Sequence, residues 1–272
     1  MLLYYLFYAY LCLITFGNST CVNHAQGTHN KGIITNRLEI DGFGSQFQEI
    51  IAAVVCAELT NKKFVYTPFK KMEHNYDNDP NFLAKKESFI NFIDNFELNK
   101  NYIDASTTMS HKAFFDKNII RCVNSFSFKK IKKVFRANKK IERYFNNENL
   151  NIAIHVRRPN PHDTRIDGTD TPDAVFLNII NKLRIIYSSK NPLFHLYSQG
   201  NNESFKKFHA PDIVFHINES VEDTFLAMVL ADVLVIGISS LSYTAGLLSN
   251  GTVYYFPFWH SPLPEWISIK QL

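Results

Sequence analysis

IAIHVRRPNPHDTR, residues 152–165, decides how the rest of the chain is read. The apolar run Ile152–Val156 predicts a strand, and it ends in His155, Arg157 and Arg158 before a polar, proline-containing loop. Two fixed guanidinium groups at the carboxyl end of a strand are a cluster of like charge that needs an anionic partner. A diphosphate is a natural one, because guanidinium forks match phosphate oxygens in pairs. Open α/β sheets also bind their ligands at the carboxyl ends of their strands. Side chains alternate along a strand, so His155 and Arg157 share a face and Arg158 points the other way unless the strand stops at Val156. The competing reading pairs one arginine with a carboxylate such as Asp163 or Asp167, since buried arginines are seldom unpaired.

Outward from this stretch the pattern is regular. Apolar runs at Leu193–Tyr197, Ile213–His216, Val233–Ile236 and Val253–Phe256 predict four further strands. Helical periodicity at Asp173–Tyr187, near Glu203, at Val221–Leu230 and at Leu241–Leu248 separates them. Near-continuous apolar strands alternating with helices predict a parallel sheet covered on both faces. Upstream, Ile33–Ile40 reads as a strand, Gln46–Leu59 as a helix and Phe64–Tyr66 as a strand stopped by Pro68, a βαβ beginning. Residues 70–148 read as mostly helical. Between Lys129 and Arg143 eight basic residues stand against one acid, at a spacing that predicts an amphipathic helix with a solvated basic face. Contact with anionic lipid or an acidic acceptor is the alternative.

Three further groups could do chemistry. Gly42-Phe43-Gly44 joins a strand to a helix amino terminus, where backbone N–H groups favour an anion. Phe47 stands at the third glycine position of a dinucleotide fingerprint, and Thr67-Pro68 where its acid would be, which argues against a nicotinamide cofactor. A plain tight turn and close backbone approach to a sugar donor or acceptor stay open. Ser239 and Ser240 follow Gly237 at a strand end and precede a helix, suiting both helix capping and a phosphate. Glu219-Ser220-Val221-Glu222-Asp223 opens another helix; its acids fit the helix dipole, or a carboxylate there accepts the two N–H donors of a guanine edge. The chain has no P-loop, HExxH or GxSxG. It has no DxD where a metal-dependent sugar transferase would carry one; Asp77-Asn78-Asp79 comes closest and reads as surface.

Residues 2–16 contain no charge and are short for a membrane span. A cleaved signal, an uncleaved anchor and a buried terminal element are the three readings. Sequons at Asn18, Asn202, Asn218 and Asn250 fit a secretory route. Four cysteines make no metal spacing; Cys56 reads as a buried thiol, and a Cys21–Cys122 disulfide is one option. A net charge of +4 is too mild to imply nucleic acid.

Taken in order, Gly42-Phe43-Gly44-Ser45, His155-Val156-Arg157-Arg158 and the block Glu222-Asp223, Ala231-Asp232, Ile238-Ser239-Ser240-Leu241-Ser242-Tyr243 resemble the GDP-fucose-dependent fucosyltransferases of the α1,2/α1,6/protein-O-fucose superfamily. The resemblance implies an α/β, GT-B-like fold with two Rossmann-like domains whose parallel sheets face a cleft. The leader and linker would take 1–31, the acceptor-side domain 32–148 and the donor-binding domain 149–272. It implies inverting transfer of fucose from GDP-fucose to a glycan or protein hydroxyl, with no metal. By position, Arg157 and Arg158 would hold the diphosphate, His155 would lie near the nucleoside, and Asp223 would read guanine. Ser240 with Ser239 would touch the β-phosphate, and Gly42 and Gly44 would let the backbone approach the donor. Pro159-Asn160 replaces the glycine and acid that follow the arginines in many members, so Asp163 is the first candidate base. The implied partners are a nucleotide-sugar donor and a glycan or glycoprotein acceptor, with residues 2–16 as the membrane attachment under the anchor reading. A secretory-pathway or membrane-associated location, a Golgi- or ER-type lumen in a eukaryote, follows from the same reading. The competing function is a catalytically silent GDP-sugar- or glycan-binding module of the same fold.

Overall fold

In a computed structural model of the chain, β1 (Ile33–Thr35), α1 (Phe43–Leu59) and β2 (Lys63–Val65) form a βαβ unit whose strands pair in parallel, Ile33 against Lys63 through Thr35 against Val65. The described residues are 32–100, 110–137, 139, 145, 148–158 and 171–272, and 32–272 belong to one compact unit. Helix α1 starts three residues ahead of the predicted Gln46. The glycine-rich stretch that reads as a turn is its first turn, entered from extended backbone at Gly42. Fifteen of its seventeen residues are buried, so it is the central post of the molecule and not a surface helix.

Helices α2 (Phe82–Ile90), α3 (His111–Lys117), α4 (Ile119–Asn124) and α5 (Phe126–Arg136) surround that post, as the helical reading of this region expects. The abundant phenylalanine joins them. Phe43 meets Phe225 edge-on at 5.3 Å, and Phe89 meets Phe135 in the same way at the same separation. Edge-to-face contacts of this kind add roughly 0.5–1.5 kcal/mol beyond burial. The basic face of α5 is not simply solvated. Lys132 Nζ donates to the Ser249 carbonyl and an Arg136 guanidinium N–H to that of Leu248, each at 2.7 Å. Both cations therefore satisfy carbonyls at the carboxyl end of the helix that finishes there. Burial lowers the Lys132 ammonium to about 8.

The second half of the chain follows the predicted alternation closely. Its elements are β3 (Leu150–His155), α6 (Asp173–Ile186), β4 (Pro192–Ser198), β5 (Ile213–Ile217), α7 (Val221–Leu230), β6 (Val233–Ile236), α8 (Ser240–Leu248), β7 (Thr252–Tyr255) and β8 (Ile267–Ser268). All six strands pair in parallel in the order β5-β4-β3-β6-β7-β8. Counted from β3 this is 3-2-1-4-5-6, the order of the doubly wound nucleotide-binding sheet. Ile152, Ile154 and Val156 face α6 with Phe176, Ile180 and Leu183. Ala153, Leu234 and Ile236 face the core shared with α1, α7 and α8. The architecture is thus α/β with two parallel-sheet regions on either side of a cleft. The first region has two strands among the described residues and the second has six.

Cys56 and Cys122 are buried and neither forms a disulfide; burial pushes the Cys122 thiol up to about 12. No helix among the described residues is long and apolar enough to cross a membrane, and the predicted leader, 1–31, lies outside them.

Candidate functional site

Strand order reverses between β3 and β6, so their carboxyl ends open into a crevice with no strand between them. A cleft of about 1070 Å³ lies there. From the β3 side it is lined by His155, Arg157 and Arg158, from the β6–α8 side by Ser239 and Ser240, and across the opening by Gly42, Gly44, Ser45 and Lys112. The volume is that of a pocket for a nucleotide-sized ligand.

The two arginines have different partners. Arg157 reaches across the switch point, with a guanidinium N–H 3.3 Å from the Ile238 carbonyl. Arg158 turns to the opposite face, donating to the Thr171 carbonyl at 2.9 Å and to the Asp173 carboxylate at the start of α6. Strand alternation thus persists past the last paired residue. The carboxylate pairing foreseen for one arginine falls on Arg158, with Asp173 as partner.

Two helix amino ends meet in this cleft. Helix α1 has no side-chain cap on its first-turn N–H groups, and Gly42 to Ser45 line the cleft. Helix α8 is capped by Ser239, whose hydroxyl accepts from Leu241 N at 3.2 Å. A Cβ on Gly44 would lie 2.4 Å from Leu241 Cα, so only glycine lets the two ends touch. Thr244 Oγ1 donates to the Gly44 carbonyl at 2.9 Å and locks the contact. Gly42 is packed against the His74 ring, and Gly237 lies against the His155 carbonyl, where a Cβ would meet that oxygen at 2.7 Å. Two converging positive dipole ends favour negative charge between them.

Side chains that the sequence did not single out complete the walls. Lys112 Nζ donates to Ser45 Oγ at 2.7 Å and to Glu39 at 2.5 Å. Lys86, almost fully buried, ion-pairs with Glu222 at 2.6 Å and ties α2 to α7. Asp77 and Asp79, read as surface, line the cleft; Lys85 holds the Asp79 carboxyl below its usual range. Asp223 is not on the wall: it sits in the first turn of α7 and its carboxylate accepts from Ser220 Oγ at 2.7 Å. Glu219 is on the wall, held by His216 at 2.7 Å, and His216 in turn contacts His195 at 3.0 Å. Asp163, Pro159, Asn160 and Asp167 lie outside the described residues. Among the described residues, no three His, Cys, Asp or Glu side chains are grouped to hold a metal ion.

His155 is buried, and its Nδ1 has no hydrogen-bond partner among the described residues. Burial, reinforced by the Arg157 charge, lowers it to about 4. Burial and the neighbouring His216 lower His195 to about 4 as well. An unfolded histidine takes up its proton near 6.5 and these folded ones only near 4, so the unfolded state binds more protons in between. Stability is therefore fully present above about pH 6.5 and falls as pH drops towards 4, by on the order of 3 kcal/mol from His155 alone. Urea unfolding at pH 7 and pH 4.5 measures this; equal stabilities, or a loss unchanged in His155→Gln, would contradict it.

No protein-family model matches the chain, and no curated protein matches it. Among solved structures it overlays on fucosyltransferase NodZ from Bradyrhizobium at 11% identity and a TM-score of 0.41, covering 81% of this chain and 94% of that one. It also overlays on POFUT1 in complex with GDP at 12% identity and a TM-score of 0.46, covering 85% of this chain and all of that one.

Proposed function

We propose that this chain is an inverting, metal-independent glycosyltransferase that moves fucose from GDP-fucose to a glycan or protein hydroxyl. One observation carries the reading: Arg157 and the amino ends of α1 and α8 converge on a single cleft at the switch point of a doubly wound sheet. The HxRR and serine-block resemblance supports the choice of donor. Transfer builds negative charge on the departing diphosphate, and preorganised N–H donors and a guanidinium stabilise that charge. In this reading Arg157 and Arg158 hold the diphosphate, with Arg158 anchored by Asp173. Ser239, Ser240 and the α8 amino end take the β-phosphate. Gly42 and Gly44 admit the donor to the α1 amino end, and His155 lies beside the nucleoside. Asp223 reads guanine after releasing Ser220. Residues 149–272 carry the donor, residues 32–148 face the acceptor, and the leader supports a secretory or membrane-associated location.

Calorimetric titration with GDP, GDP-fucose, other GDP-sugars and UDP-sugars, with EDTA present, tests the proposal, together with GDP release from each donor. Binding of GDP and GDP-fucose and consumption of GDP-fucose in EDTA are expected. GDP binding with no donor consumption would leave the silent binding module, and binding of UDP-sugars alone would remove the GDP assignment.

A further inference from the structure

Below the joined amino ends of α1 and α8 lies a second tier of polar groups, of which His260 lines the same cleft. Gln48 and Asp116 lie one helical turn, about 5.4 Å of rise, along α1 and α3 from Gly44 and Lys112. His260, from the loop after β7, enters between them. Its Nδ1 is 3.1 Å from Gln48 Nε2 and 3.3 Å from Asp116 Oδ2. Its ring stacks on Tyr243 at 4.6 Å, and Ser261 N donates to the other Asp116 oxygen at 3.3 Å. The residue is 9% exposed and yet forms part of the cleft wall. Its Nε2 makes no hydrogen bond among the described residues.

The two Nδ1 contacts call for different ring states. When Nδ1 accepts the Gln48 N–H, the ring proton is on Nε2. When Nδ1 donates to Asp116, Nε2 is bare. A ring in a cleft wall with one nitrogen bare and a carboxylate at the other has the make-up of a general base with its orienting group. A proton gained at Nε2 leaves an imidazolium whose charge Asp116 stabilises.

On the reading of the cleft given above, we infer that His260 is the general base of the transfer, with Asp116 and Gln48 as positioning residues. The acceptor oxygen forms its bond to the anomeric carbon, and the bond from that carbon to the diphosphate oxygen breaks. The bonding pair leaves with GDP, and the acceptor's proton passes to His260 Nε2. Asp163, the candidate from the motif, is the competing base.

The test uses the full chain with GDP-fucose as donor and water as acceptor, reading GDP release alongside GDP affinity by calorimetry. His260→Gln is expected to lower kcat about 100-fold with GDP affinity within about twofold, because general-base loss spares donor binding. Asp116→Asn is expected to lower kcat about tenfold at unchanged KM, with partial recovery in Asp116→Glu. Added imidazole is expected to restore turnover to His260→Gly, which a merely structural histidine would not allow. Turnover at the parental rate in His260→Gln, or GDP affinity falling in step with kcat, overturns the assignment. If His260→Gln does not fold, unchanged kcat in Asp116→Asn with loss of turnover in Asp163→Asn overturns it equally. A parental chain that binds no GDP removes the reading of the cleft itself, whereas intact GDP binding with full His260→Gln activity removes only the base.

Discussion

Arg157→Ala is expected to lower GDP release from GDP-fucose by about 1000-fold, the upper end of what one lost donor to a developing oxyanion costs. The side chain is half-buried and donates a long bond to the Ile238 carbonyl, a contact worth about 1 kcal/mol to folding. Arg158→Ala should show the reverse weighting. Its guanidinium bonds the Thr171 carbonyl and the Asp173 carboxylate, and removal leaves that half-buried carboxylate with only the exposed Lys207, at 3.8 Å. Stability should fall more in Arg158→Ala and turnover more in Arg157→Ala. Steady-state kinetics and urea unfolding on both variants decide the matter. A larger loss of turnover in Arg158→Ala would mean that the arginine tied to α6 is the one that meets the charge.

Gly44→Ala should be strongly destabilising for a single added methyl. In an ordinary helix interior the change would stabilise by up to about 1 kcal/mol, so the sign of the effect is informative. Here the new Cβ would lie 2.4 Å from Leu241 Cα, 2.5 Å from Leu241 N and 2.8 Å from the Ser240 carbonyl carbon. These are backbone atoms of α8 and no rotamer change relieves them. Helices α1 and α8 must part, at a cost of about 3 kcal/mol by the usual scale of overpacking. Parting them also separates the two amino ends that make the anion site, so GDP affinity should fall with stability. Urea unfolding and GDP calorimetry on the variant measure both. A Gly44→Ala chain as stable as its parent would show that the helices are not in contact at this point.

Much of the fold is legible in neighbouring residues. Five of the six strands of the main sheet could be placed within two residues, because parallel strands covered on both faces read as unbroken apolar runs between helical periods. The sixth, Ile267–Ser268, is two residues long and offers no period to read. The start of α1 was hidden because Gly42-Phe43-Gly44 has the composition of a turn, and glycine inside a helix signals nothing about the backbone that will press on it. Asp223 and Glu219 show the same limit within one short motif. Five residues of sequence cannot say that Glu219 and Glu222 line the cleft while Asp223 bonds the capping Ser220.

What the chain determined by itself is the α/β alternation, the His155-Val156-Arg157-Arg158 strand end and the Ser239-Ser240 helix start, all set by residues within a few positions of one another. Only the tertiary structure decided that Arg158 turns to Asp173, that α1 and α8 touch at Gly44, and that His260 meets Gln48 and Asp116 from 212 and 144 residues away. The reason is the range of the forces involved. Periodic burial is recorded along the chain, whereas hydrogen-bond and steric partners are chosen by where the packed elements come to rest.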